Sequence, residues 1–414
     1  MGISYGPSIA TSGLIFHYDM GNTSKSFKGK PTTNYNPDPF FSDIPTHWDY
    51  FGFGDTNTIA TSTDYLPAIG SGVIAKMTVD TGQTAATLVH RDPSGWGNLT
   101  NGDQVTVSFY VRGVANSVGK LVHIHGFANS AGGAISTGTD NSFNGVNIGT
   151  LTSEWKRYSH TFTWTDAVNN SYTDQFYGYV RVEGLSAGDV FYASNPQTEK
   201  NSFATPFVDG TRSNTQAIVD LTGNRTVTAT SLDYNNNNTF QFDGTNDYVS
   251  ISPIFNPYNS SYTLEAWIKR DATGRTDGIM SDPQYNWLMF WVTPGNKLVW
   301  QHGYYDPGET RTSLTSATDI STDWTHVVVS FENGVGAKLY VNGKLDATGT
   351  NGNPFGLTGS RGVRFIGTIY NDVPGGTNGI EFDGKISIAR MYSKALAEAE
   401  VAQNFNASRA RFGI

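Results

Sequence analysis

The stretch FQFDGTNDYVSI, Phe240 to Ile251, places Asp243, Asn246 and Asp247 within five residues. Their oxygens are hard donors of the kind calcium takes, so one chemistry available here is a calcium corner. The same residues also build turns, because Asp and Asn accept hydrogen bonds from their own backbone and Gly244 tolerates a positive φ. No EF-hand-like spacing or dense carboxylate set accompanies them, so the residues favour the turn. A calcium ion shared with distant loops is the alternative, and the metal stays unassigned.

Other chemistry-bearing pairs are sparse. Glycoside hydrolysis needs two carboxylates flanking the scissile bond. Glu381 and Asp383 in IEFDGK are the nearest match, but no third acid keeps step with them. His123 and His125 share one strand face and supply two of the ligands zinc needs; a partly buried sheet face accounts for them equally. Gly-rich runs such as GGAISTGTDNSFNG lead into no helix that would cradle phosphate. The expectation is no catalytic residue, no enzyme and no cofactor.

Sugar binding remains, because pyranose rings stack on aromatic faces while Asn, Asp and Gln bond the hydroxyls. Two clusters have that make-up: Trp48, Tyr50, Phe51 and Phe53 in HWDYFGFGD, and Trp300, Tyr304 and Tyr305 in WQHGYYDPG. Trp287 and Trp291 in YNWLMFWV read as a buried strand instead.

The elements around these residues are strands. GVIAKMTVD, DQVTVSFYVRG, KLVHIHGF, WKRYSHTFTW, FYGYVRVEG and DVFYASNPQ alternate with period two and are spaced by Gly, Asn, Ser and Asp. A second series runs from NTFQFDG to FDGKISIARMYS. Within it KLYVNGKLDA is a hairpin, since Asn342-Gly343 supplies the two positive-φ positions of a type I′ turn. SKALAEAEVAQNFNASRARF predicts one C-terminal helix with Ser393 as N-cap, although its apolar residues form no clean stripe.

Composition agrees. Aromatic residues reach 13% and Gly 46 copies while charged residues are only 15%, the balance of an all-β chain with many turns. Cys is absent, which excludes disulfides and thiolate chemistry. A formal charge of −9 with no Lys/Arg run argues against nucleic acid, and no segment has the ~20 apolar residues that cross a bilayer. The first residues, MGISYGPSIATSGLIF, carry no basic leader and long apolar core, so no classical export signal is expected.

FDGTNDYVSI, YTLEAWIKR, WTHVVVSFENGVGAKLYVNGKLDATG, FIGTIY and FDGKISIARMYSKALAEAEVAQNF together resemble the laminin-G or concanavalin A-like jelly roll. GLIFHYDMGNTSKSF is similar to the first strand of that module in structural proteins of tailed bacteriophages, and AIVDLTGN to the segment that follows it there. The two lie about two hundred residues apart. The likeness therefore implies a discontinuous jelly roll, residues 1–33 plus 209–414, with 34–208 inserted. The insert resembles a carbohydrate-binding-module sandwich, on WKRYSHTFTW and NPQTEKNSFATPFVDGTR.

The expected fold is all-β: two antiparallel β-sandwiches, one inserted in the other, with a short C-terminal helix. The resemblance implies a non-enzymatic virion protein on the particle exterior, a fibre, decoration or collar component. Its partners would be other virion proteins, cell-surface glycans bound weakly and multivalently, and copies of itself, a trimer being plausible for a fibre. A free lectin-like protein, or the binding part of a glycan-degrading system, is the alternative.

Overall fold

Alternating apolar residues send one face of each strand inward, and two such layers closing on each other make a sandwich. A computed structural model describes residues 8–36, 38–44, 48–49, 57–67, 73–90, 99–100, 102–130, 133–136, 146–164, 176–235, 240–282, 288–303, 311–353, 362–369 and 380–414. The chain divides into two compact units, residues 1–30 with 213–414, and residues 31–212.

The first unit has an eight-stranded and a seven-stranded antiparallel sheet. In the larger sheet, Tyr262–Arg270 lies between Asp383–Tyr392 and Thr325–Glu332, and the hairpin Gly336–Val341 with Lys344–Gly349 forms one edge. That hairpin turns at Asn342 (φ 49°) and Gly343 (φ 74°), as its sequence requires. The smaller sheet runs Thr226–Thr230, Tyr248–Phe255, Val363–Ile366, Asp277–Ser281, Leu288–Val292, Lys297–His302, Thr312–Asp319. Leu264, Ile268, Phe290, Trp300, Val327 and Met391 are among the residues buried between the layers.

Strand Leu14–Asp19 joins the larger sheet by pairing with Asp383–Tyr392. Asp220, in AIVDLTGN, bolts it down: its Oδ1 accepts from His17 N–H (2.9 Å) and Thr222 N–H (3.0 Å), and its Oδ2 from Asn224 and Arg225 N–H. Phe27 bridges to Ile218 alongside. Segments two hundred residues apart thus close one sandwich edge.

A buried polar knot holds the outer face of the same sheet. Glu265 is fully buried; its Oε1 accepts from the Arg390 guanidinium and lies 3.1 Å from His326 Nε2, and its Oε2 accepts from Asn404 Nδ2 (2.6 Å). Asn404 Oδ1 in turn accepts from Ala10 N–H (2.7 Å), and Arg390 Nε donates to His17 Nε2 (3.3 Å). Burial pushes the Glu265 carboxyl up, but Arg390, His326 and Asn404 outweigh it and hold it at about 2. Burial and Arg390 together lower His17 to about 3, so it stays neutral.

This knot explains the helix, Glu398–Ser408. Its buried positions are Val401, Asn404 and Ser408, two of them polar, which is why no apolar stripe shows in the sequence. The expected cap at Ser393 is corrected to Ala397. Residues 394–397 are kept out of the helix by Leu396, which is buried and donates its N–H to Thr263 Oγ1, while Glu400 Oε2 accepts from Ala397 N–H (3.0 Å). Trp267 stacks on Phe405 (5.6 Å) and Phe412 (4.2 Å) beneath the helix.

The second unit packs a five-stranded sheet against a six-stranded one, with Val107, Phe109, Leu88, Ile124, Val180 and Phe191 in its core. The chain enters and leaves it side by side, Thr32–Thr33 pairing with Thr211–Arg212, which brings residues 31–33 and 209–212 into this unit. Glu199, fully buried, gathers that crossing. Its oxygens accept from Gln197 Nε2 (2.7 Å), Thr205 N–H (2.8 Å), Thr205 Oγ1 (2.8 Å), Thr32 Oγ1 (2.8 Å) and Asn201 Nδ2 (3.2 Å). QTEKNSFATPF is thus a structural bracket.

Two outcomes follow from these carboxylates. Glu265→Ala strands the buried Arg390 charge and lowers the unfolding free energy by about 3–5 kcal/mol in denaturant titration; an unchanged midpoint would remove the knot from the stability of the fold. Glu199→Ala leaves its donors without an acceptor, at ~1–3 kcal/mol for the first of them, and raises amide exchange in 195–212.

Candidate functional site

DGTND turns the chain. Gly244 has φ 74°, Thr245 N–H donates to Asp243 Oδ1 (2.8 Å), and Asp243 N–H donates to Asp247 Oδ2 (2.9 Å). Among the described residues no three His, Asp or Glu side chains gather as a metal set. Asp247 is 1% exposed and its Oδ1 has no hydrogen-bond partner among the described residues. Burial pushes its carboxyl up to about 7, aided by the nearby Asp243 and Asp233 charges.

The acid pair is committed elsewhere. Asp383 Oδ2 is 2.6 Å from Arg275 Nη1, while Arg275 Nε and Arg270 Nε reach the two oxygens of buried Asp277 at 3.0 and 2.6 Å. Glu381 is buried (4% exposed). His123 Nε2 sits 3.4 Å from Glu183 Oε2, whose other oxygen takes Arg181 Nε at 2.9 Å; the His125 side chain lies outside the described residues.

Two of the aromatic platform residues are corrected to core. Trp48 is 3% exposed, its ring 4.5 Å from Phe41 and its indole N–H donating to Asp38 O. Trp300 is fully buried between Tyr262, His302 and Phe331, with its N–H on Tyr262 Oη (3.0 Å). A stacking platform needs an open ring face, and these have none. Tyr50, Phe51, Phe53, Tyr304, Tyr305 and Trp287 lie outside the described residues.

Trp291, read from sequence as part of a buried strand, is half-buried. Leu288, Phe290 and Val292 point into the core, so alternation turns Met289 and Trp291 to the outer face of the seven-stranded sheet. Across that face the register gives one row of Trp291, Val299 and Thr315, and a second of Met289, Gln301 and Ser313. Thr315 and Ser313 are exposed and Gln301 half-buried. On the other side Trp291 is paired with Gly278, where a Cβ would strike Ile369 N at 2.3 Å because the Thr368–Ile369 backbone passes over it. One flank of the tryptophan is therefore a wall, and the other is Val299 with the Gln301 amide and two hydroxyls beyond it. Two strand spacings, roughly 10 Å, separate Trp291 from Thr315, a span fit for one or two sugar rings.

Residues 243–402, Trp291 included, match the family model described as the concanavalin A-like lectin/glucanases superfamily. A search of curated proteins finds no match. Among solved structures, the receptor-binding domain of botulinum neurotoxin C/D mosaic serotype is 17% identical, with TM-score 0.35 over 46% of this chain and 48% of that one. A botulinum neurotoxin type C structure, from work on its cell entry through two ganglioside molecules, is 20% identical, with TM-score 0.36 over 47% and 50%. The CBM40 of Ruminococcus gnavus IT-sialidase bound to α2,3-sialyllactose is 17% identical, with TM-score 0.31 over 35% and 83%. The chain spans about half the length of the botulinum domains it matches.

Asp247 generates a pH dependence whose sign is fixed. Its folded pKa of about 7 exceeds the ordinary 3.8, so the folded state holds an extra proton between those values, and stability falls as pH rises from 4 to 7. Asp247→Asn removes that slope and is more stable than the parent at pH 8 by on the order of 2–4 kcal/mol. Parallel stability–pH curves for the two proteins would refute the assignment.

Proposed function

We propose that this chain is a non-catalytic glycan-recognising protein, carried on the exterior of a tailed-phage particle as a fibre, decoration or collar component. The observation that carries the glycan reading is Trp291: a half-buried indole on the outer face of a sheet, in a lectin-type fold, with Gln301, Ser313 and Thr315 within reach of a stacked sugar. The ion pairs at Asp383 and Asp277 and the burial of Glu381 support binding over hydrolysis, since these acids, among the described residues, are not placed as an open acid–base pair. The particle placement rests on the likeness of GLIFHYDMGNTSKSF and AIVDLTGN to phage structural proteins. Other virion proteins and further copies of the chain, a trimer by preference, are the proposed partners, and repetition on a particle turns weak single-site affinity into avidity.

Two measurements test this. Trp291→Ala reduces binding to host cell-envelope glycans at least tenfold, about 1.4 kcal/mol, with its melting temperature nearly unchanged. Trp300→Ala instead destabilises the fold by about 3–5 kcal/mol. Equal binding by parent and Trp291→Ala would remove the site. Gold-labelled antibody against the chain decorates purified particles in electron micrographs; unlabelled particles would leave the free-lectin alternative.

A further inference from the structure

Two aromatic residues among the described positions have positive φ, Phe41 (53°) and Tyr65 (56°). A Cβ makes this left-handed conformation costly, and a bulky side chain makes it an outlier. Phe41 is explained by packing, since its ring is fully buried against Trp48. Tyr65 is not: it is 50% exposed, next to Leu66 at 44%.

The conformation is nevertheless fastened at several points. Trp155 Nε1 donates to Tyr65 O (2.5 Å), Asp64 N–H to Ser62 Oγ (3.0 Å), and Tyr192 Oη to Asp64 Oδ2 (3.4 Å). The Arg112 guanidinium lies 4.3 Å from the centre of the Tyr65 ring, and the Tyr192 ring meets it edge-on at 5.4 Å. Glycine at position 65 would make the same turn without strain. The chain instead keeps a phenol ring in the open, pinned to one orientation, and strain of this kind collects where a side chain must be presented.

The surroundings have the chemistry of a saccharide subsite. Trp155 is half-buried beside Tyr65, and Arg112 is the cross-strand neighbour of Tyr192 on the five-stranded sheet. Glu154, its side chain 85% exposed, stands 3.9 Å from Arg112 Nη1. Carboxylates accept from sugar hydroxyls and a guanidinium donates to them. Asp64 and Glu154 balance Arg112 and the neighbouring Lys76, which pairs with Tyr192 from the other side, so the patch presents no excess positive charge to an anionic sugar.

We propose that Tyr65, Trp155 and Arg112, with Asp64 and Glu154, form a subsite for neutral pyranosides, the ring stacking on the open face of Tyr65. This surface belongs to the second unit and does not rest on the reading of Trp291.

The test uses the full chain and a fixed set of probes: cello-, malto-, manno- and chitohexaose, with hexagalacturonate as the charged comparison, titrated by calorimetry and by tryptophan fluorescence. The expected result is millimolar or tighter binding of at least one neutral hexasaccharide, weakened tenfold or more by Tyr65→Gly and by Trp155→Ala but kept by Trp291→Ala. Because glycine relieves the strained backbone, Tyr65→Gly melts within a few degrees of the parent, which separates lost binding from lost folding. Absence of binding by every neutral probe, preference for hexagalacturonate, or affinity indifferent to Tyr65→Gly each overturns the proposal. Concentration-dependent self-association abolished by Tyr65→Gly also overturns it, assigning the patch to a second copy of the chain.

Discussion

The charge on Glu265 is the constraint around which the first unit is arranged. A carboxylate with no solvent access is tolerable only if cations and donors surround it, and each of its partners comes from a different stretch of chain: Arg390 and His326 from the flanking strands, Asn404 from the helix. Through Arg390 and Asn404 the demand extends to His17 and Ala10 at the other end of the sequence. The sheet face cannot keep this charge without the helix above it, and the helix adds only a narrow apolar contact, Val401 and the stacking of Phe405 on Trp267. Polar satisfaction acts together with that apolar contact to fix the helix in one seat on the sheet.

The second unit solves a related problem with neutral donors. Where a chain enters and leaves a unit together, the crossing backbone must be satisfied and the two strands must be kept from separating. Glu199 does both by accepting from Thr32 on the entering strand and from Gln197, Asn201 and Thr205 around the exit. Arg212 Nη1 then reaches back to Pro206 O (3.1 Å), and Arg157 to Ser108 Oγ (2.9 Å). The conspicuous sequence of this segment is therefore consumed by the joint.

What could be read from sequence depended on whether local residues alone set the outcome. Asn342-Gly343 specified its hairpin because positive φ is a local property, and DGTND specified its turn for the same reason. The two tryptophans Trp291 and Trp300 could not be sorted, because LMFWV and LVW are apolar at consecutive positions and give alternation no polar residue to mark the outer face. One ended inside and one outside by parity alone. The helix start failed for a tertiary reason, the burial of Leu396 overriding a good cap at Ser393. Tyr65 was silent, since nothing in TDYLP announces a left-handed tyrosine.

The carboxyls bear on whether this fold binds sugar or cuts it. A glycosidase needs one carboxyl raised enough to carry a proton near neutral pH and a second, ionised, across an open cleft. Among the described residues burial raises two, Asp247 and Asp277. Both are sealed: Asp247 is 1% exposed beneath its own hairpin turn, and Asp277 is fully buried between Arg270 and Arg275. A carboxyl that no glycosidic oxygen can reach protonates nothing. Near the aromatic patch, Asp64 accepts from Tyr192 Oη and Glu154 stands beside Arg112, both with oxygens able to accept hydrogen bonds from hydroxyls. Glu265 is the opposite case, an acid kept ionised in the interior because Arg390, His326 and Asn404 outweigh its burial, where Asp247 has neighbouring carboxylates in place of cations.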